Sequence, residues 1–287
     1  MRSGVILPLA ALPLVLTLAG CASPLPQAAW ESRLRGDAIV LLGELHDNAE
    51  HHRQRLNVLR RAFAAGWRPA IAMEQFDRER QADIERARAE EPRDARRVIE
   101  LAVPKSTRGG WDWAYYQPFV ELALEYDVPL IAANLSAADT SKIVREGYAG
   151  VFDAAALSAF RLDSPPPAEL QSAQEHEIDI GHCNALPPKL LPAMARGQLA
   201  RDTVMADIVS RNAGWGVVLI AGNGHVRRDL GVPRWLRGET LARTFAVGYL
   251  EHGASSGREA AFDAVVYTEA ARRDDPCLDF KQRLKAR

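Results

Sequence analysis

Four short apolar runs, each closing on a glycine or a polar residue, constrain this chain more than any other feature. Ala38-Ile39-Val40-Leu41-Leu42 ends at Gly43, and Pro69-Ala70-Ile71-Ala72-Met73 reaches Glu74. Val128-Pro129-Leu130-Ile131-Ala132-Ala133 ends at Asn134, and Gly216-Val217-Val218-Leu219-Ile220-Ala221 runs into Gly222-Asn223-Gly224-His225. A strand covered on both faces reads as a continuous apolar run, the pattern of a parallel sheet. Helical patterns stand between the runs. Asp47 with Glu50 three residues on forms a capping-box pattern, Leu56, Leu59 and Phe63 share a face, and Gly66 stops the helix. Polar helical sequence follows to about Glu91, a further helix starts near Pro92, and Trp111 to Tyr126 reads as amphipathic. The alternation predicts an α/β fold with a central, mostly parallel sheet flanked by helices. Thr244 to Leu250 and Ala264 to Tyr267 add two strands, expected antiparallel at the edge. No strand pattern lies between Ala138 and Asn212, so residues at about 138–213 are expected to form a smaller helical lobe, with Ser164-Pro165-Pro166-Pro167 as a loop.

The N-terminus differs from the rest. Arg2, an apolar run from Val5 to Leu18 and the closing Leu18-Ala19-Gly20-Cys21 describe a secretory signal, too short to span a bilayer. The Leu-Ala-Gly-Cys ending resembles the lipobox of bacterial lipoproteins, which are cleaved before the cysteine and lipidated on it. The expectation is a signal peptide at 1–20, a lipidated Cys21 with a tether through 36, and a body at 37–287 held to a membrane by its lipid, palmitate included. Ala22 after the cysteine favours the outer membrane by the same resemblance.

Charge then matters. The 287 residues carry 36 Lys+Arg against 37 Asp+Glu, a formal net charge of −1, which argues against a nucleic-acid partner. Three cysteines exclude a disulfide framework but allow one bridge. In an oxidising compartment Cys183 and Cys277 can pair, or both can remain as buried thiols.

Two strands end alike, in Gly43-Glu44-Leu45-His46 and Gly222-Asn223-Gly224-His225. Ligands of open parallel sheets bind at the carboxyl ends of the strands. Glu44, His46, Glu74, Asn134 and His225 thus gather at one rim. That set allows a divalent metal on Glu44, His46 and His225, metal-free acid–base catalysis by Glu44, His46, Glu74 and His225, or a polar cap on the sheet. His51 and His52 read as surface residues, and Trp111, Trp113, Tyr115 and Tyr116 as packing between helix and sheet.

Together these residues resemble a known family, the ChaN-like haem-binding lipoproteins. The resemblance rests on Leu41-Leu42-Gly43-Glu44-Leu45-His46-Asp47, Ala72-Met73-Glu74-Gln75-Phe76, Trp111-Asp112-Trp113 with Tyr116 and Pro118, and Ile131-Ala132-Ala133-Asn134. It continues through His182-Cys183 with Leu186-Pro187, Arg201-Asp202 with Met205-Ala206, Gly222-Asn223-Gly224-His225 and Asp275-Pro276-Cys277, covering about Ala38 to Phe280. The family belongs to the Tiki superfamily and is similar in fold to the erythromycin-esterase-like enzymes. Other branches use the Gly-x-x-His and Glu positions for hydrolysis. The resemblance implies an outer-membrane lipoprotein of the bacterial envelope that binds haem between the protomers of a dimer, serves iron acquisition and hands haem to or from an uptake receptor. It also implies a Cys183–Cys277 bridge, a tyrosine on each iron, and histidine and lysine on the propionates. Tyr148, beside a flexible glycine and near the apolar surface of the helical lobe, is the candidate iron ligand. His176 or His182 and Lys142 or Lys189 are the candidate propionate contacts. A hydrolase using the strand-end cluster is the alternative.

Overall fold

The computed structural model describes residues 27–106, 110–253, 257–275 and 277–278. The expected signal peptide, Cys21 and the first part of the tether lie outside the described residues. The tether is shorter than expected, because Gln27–Glu31 is a helix (α1) and Trp30 and Leu34 are buried in the core.

Six parallel strands form one sheet in the order β3-β2-β4-β1-β5-β6. They are β1 (Ile39–Leu42), β2 (Ala70–Asp77), β3 (Leu130–Asn134), β4 (Val217–Ile220), β5 (Thr244–Glu251) and β6 (Ala264–Thr268). The last two were expected antiparallel; β6 instead runs parallel to β5, from Val247 opposite Ala264 to Glu251 opposite Thr268. The reason is the length of the connection: about a dozen residues separate Glu251 from Ala264, enough for a parallel crossover.

Alternation along the strands divides the core in two. Val40, Leu42, Ile71, Met73, Val218 and Ile220 pack with Val58, Leu59 and Phe63 of α2 (Ala49–Ala64). On the same face lie α3 (Gln81–Glu90), α4 (Ala95–Ala102) and α5 (Trp113–Glu125), the last placing Phe119 and Val120 in that layer. Ile39, Leu41, Ala70, Ala72, Val217 and Leu219 point the other way. Each buried Leu or Ile contributes about 1.5–3 kcal/mol, which is why runs of four wholly buried residues define these strands.

The segment without strands folds into α6 (Ala137–Glu146), α7 (Ala154–Phe160), α8 (Ala168–Gly181) and α9 (Leu191–Arg211). It is not all a separate lobe. Met205, Ala206 and Val209 of α9 cover the second face of the sheet, while Leu135, Ile143, Phe152, Phe160, Ala200 and Val204 make a satellite core beneath α6 and α7. Two short helices, α10 (Asn223–Val226) and α11 (Gly238–Arg243), complete the set. Among the described residues, no helix is long and apolar enough to cross a membrane.

Two described residues beyond Arg272 are tied down. Arg273 pairs with Asp47 and Glu251, and Cys277 is disulfide-bonded to Cys183, the two Cα atoms 5.5 Å apart.

Candidate active site

The strand register brings the polar residues to one level. Leu42 and Met73 both lie opposite Ile220, and Leu42 is also level with Val247, so Glu44, Glu74 and Gly222 emerge together just beyond that row. Alternation sends the two carboxylates to opposite faces. Glu44 continues the Val40–Leu42 side toward α2 and α5, and Glu74 continues the Ala70–Ala72 side toward α9.

Glu44 is 1% exposed. Its Oε1 accepts from the Tyr116 hydroxyl at 2.5 Å and lies 2.7 Å from His46 Nδ1. Its Oε2 forms a buried ion pair with Arg55 and lies 3.3 Å from His52 Nδ1. Burial pulls the Arg55 guanidinium down to about 10, partly offset by Tyr116, Tyr249 and Glu74, so it stays charged at neutral pH. Held in this way, Glu44 accepts the Nδ1 proton of His46 and leaves the Nε2 lone pair open. The His46 side chain is 51% exposed, with Trp111 edge-on at 4.8 Å.

On the other face His225 sits between two carboxylates, with Nδ1 2.6 Å from Asp202 Oδ1 and Nε2 3.4 Å from Glu74 Oε1. Burial opposes charge on the ring, but Glu74 and Asp202 outweigh it and push its pKa up to about 10. Burial would likewise raise Glu74; the His225 charge, its hydrogen bond and the Gly222 N–H at 2.8 Å hold it well below the usual carboxylate range. Burial raises Asp202 to about 6 against the pull of His225. His225 is therefore an imidazolium at neutral pH, while His46 is the half-exposed imidazole of the pair.

Glycine is required at Gly43, and Gly222 marks where the two halves meet. A Cβ on Gly43 would come within 2.2 Å of Asn223 Oδ1, which is locked to the Tyr249 backbone. A Cβ on Gly222 would sit 3.0 Å from His46 Cε1 and 3.7 Å from Glu74 Oε2, so the base and the second carboxylate face one another across Gly222. The space in front is a cavity of about 570 Å³ lined by Glu44, His46, Glu74, Arg201, His225 and Glu251 among others. A base on one side and a charged acid on the other can move protons to and from a bound ligand.

Asn134 reaches this level but turns away, accepting from Arg201 Nη1 at 2.8 Å and bordering a second cavity of about 340 Å³. The metal alternative finds no site: among the described residues no group of three or more His, Cys, Asp or Glu is arranged to hold a metal ion. The cause is the division between faces, with Glu44 taken by Arg55 and His225 by its two carboxylates.

Several readings from sequence are corrected here. His51 and His52 are buried, 0% and 3% exposed, rather than on the surface. His51 Nδ1 accepts from the Leu45 N–H at 3.0 Å, and His52 lies between Arg55 and the His46 carbonyl, stacked on Tyr115. Burial lowers the pKa of each to about 4, so both are neutral, which a helix N-terminus tolerates. The helix begins from Asn48, whose side chain accepts from Glu50 and His51, and not from Asp47. Tyr116 is not only packing: its hydroxyl is a partner of Glu44. Asp202 and Arg55 carry no recognisable spacing to their partners and were missed, although Arg201-Asp202 stood among the motifs.

The haem candidates lie elsewhere, and none lines the strand-end cavity. Tyr148 opens a short turn (Tyr148–Gly150) after α6, and its hydroxyl is buried with no hydrogen-bond partner among the described residues. Lys142 is exposed on α6 and its stem approaches Gly150. His176 is exposed on α8, His182 has Nδ1 2.7 Å from the Ile178 carbonyl at the disulfide end of that helix, and Lys189 is exposed in the next turn.

Residues 30–236 match the family described as haem-binding uptake, Tiki superfamily, ChaN. Among solved structures, ChaN of Campylobacter jejuni, described for cofacial haem binding, is similar at 19% identity and a TM-score of 0.64, covering 84% of this chain and 91% of that one. An erythromycin esterase mutant in its open conformation is more loosely similar, at 14% identity and a TM-score of 0.46, covering 88% of this chain and 81% of that one. No curated protein matches the chain.

Proposed function

The chain belongs to the ChaN haem-binding uptake family of the Tiki superfamily, and from that premise we propose that it is a lipoprotein of the bacterial outer membrane that binds haem for iron acquisition. The observation that carries the proposal is the family match over residues 30–236. Leu18-Ala19-Gly20-Cys21 supports the lipid anchor, with Cys21 as the modified residue. In this reading two protomers hold haem between them and pass it to or from an uptake receptor. Tyr148 is the iron ligand: burial pushes its phenol up to about 12, with Arg196 opposing, so it binds as tyrosinate only when ferric iron displaces the proton. His176 or His182 and Lys142 or Lys189 meet the propionates, which need positive donors. These residues need not converge within one chain if the two protomers share the haem. Titration of the body from Ala22 onward with ferric haem, followed by the Soret band, tests the proposal: saturable binding is expected, and a featureless, non-saturating response would contradict it.

A second reading is favoured by one observation, the open His46 base held by Glu44 across a cavity from the His225 imidazolium. It is metal-free hydrolysis at the strand ends, and it uses a different region from the proposed haem contacts.

A further inference from the structure

Arg201 stands at the junction of the two strand-end cavities and lines both. It is rooted in α9, half-buried, and one nitrogen, Nη1, donates to Asn134 Oδ1 at 2.8 Å. Asn134 is itself 4% exposed and fixed by the Leu135 N–H at 2.9 Å, so the guanidinium is aimed. The other two nitrogens have no hydrogen-bond or ion-pair partner among the described residues.

Asp77 and Asp202 feel the Arg201 charge, but neither is bonded to it among the described residues. Asp202 is committed to His225 at 2.6 Å, and Asp77 borders the second cavity without closing to a salt bridge. The remaining arginines of the larger cavity are occupied, Arg227 by Glu177 and Asp229, and Arg258 by Glu177. The unpaired nitrogens of Arg201 are not among the buried unpartnered atoms, so they remain open to a ligand entering from either cavity. A planar guanidinium with two free donors fits a carboxylate in bidentate fashion.

We propose that Arg201 is a ligand-binding residue that takes a carboxylate at the junction of the two cavities. The chemistry is shared by a haem propionate and by the carboxylate of a small organic acid. The choice of porphyrin probe rests on the haem reading; the carboxylate requirement stands on Arg201 itself.

The test compares ferric haem with ferric haem dimethyl ester, whose propionates are masked, on the wild type and on Arg201→Gln. The wild type should bind the diacid more than about tenfold tighter than the diester, and Arg201→Gln should lower that preference by about tenfold, the worth of one charged hydrogen-bonded pair beside the histidine and lysine contacts, with diester affinity unchanged. Equal binding of both porphyrins by the wild type, or full preference kept in Arg201→Gln, overturns the proposal while haem binding stands. If neither porphyrin binds, the haem reading fails, and glutarate against glutaramide in thermal melts decides. A melting-temperature rise from glutarate alone, absent in Arg201→Gln, then supports the assignment to a small acid, and no rise in the wild type overturns it. Should Arg201→Gln not fold, Arg201→Lys keeps the charge but not the fork and must show a reduced preference; an unchanged one overturns the proposal.

Discussion

His46 Nδ1 lies 2.7 Å from Glu44 Oε1, and the other oxygen of that carboxylate pairs with the wholly buried Arg55. A half-exposed imidazole is thereby anchored, through one carboxylate, to a cation in the core. This relationship sets the direction of the open His46 nitrogen and ties the strand-end cavity to the packing of α2.

Arg55→Ala should therefore destabilise the fold by about 3–5 kcal/mol, because Glu44 would be left as an uncompensated buried charge. Urea unfolding measures this. The double variant Arg55→Met with Glu44→Gln should recover part of the loss, whereas additive losses would contradict the pairing.

Gly222→Ala probes the site with little effect on stability. The new Cβ would stand 3.0 Å from His46 Cε1, the far end of an exposed side chain that can move aside. The expected change in stability is within about 1 kcal/mol. If the strand ends hydrolyse activated esters, His46→Ala should slow them by about 10²–10⁴-fold, with Gly222→Ala intermediate. Hydrolysis indifferent to both variants would remove His46 from any catalytic role.

Stability should pass through a maximum between acid and alkaline limbs. The His225 pKa is raised from an ordinary 6.5 to about 10, so its contribution is complete below 6.5 and is lost as pH rises toward 10. His51 and His52 are lowered to about 4, so their neutral burial contributes above 6.5 and is lost as pH falls toward 4. Thermal melts across pH should show both limbs, and His225→Asn should flatten the alkaline one. An alkaline limb unchanged in that variant would show that His225 is not charged in the fold.

The Cys183–Cys277 bridge spans a sequence separation of 94. Breaking it with Cys277→Ser should lower stability by roughly 4–5 kcal/mol in the chain-entropy account. Denaturant unfolding of the variant against the oxidised wild type reads the difference, and a loss below about 1 kcal/mol would mean that the tail is held chiefly by Arg273.

Much of the fold was legible because a strand buried on both faces leaves an unbroken apolar run, as at Ile39–Leu42 and Val217–Ile220. The direction of β6 was not, since nothing in Ala264–Thr268 records which way the chain crosses back. Strand ends marked by glycine pointed to Glu44, His46 and His225, and the end of the Pro69–Met73 run pointed to Glu74. The partners were hidden for a different reason. Tyr116 meets Glu44 across 72 positions and Asp202 meets His225 across 23, pairings made by packing α5 and α9 on opposite faces rather than by any local spacing. His51 and His52 read as surface residues because nothing in the first turn of α2 records that both rings are driven into the core as neutral groups.

Haem titration of the body from Ala22 onward, followed at once by the Soret band and by sedimentation, tests the central claim most directly. Saturable ferric haem binding that drives dimer formation and is lost in Tyr148→Phe is the predicted result. Binding that survives Tyr148→Phe would retain the function and discard that ligand. Absence of saturable binding, with the protein remaining monomeric at every haem concentration, would contradict the account.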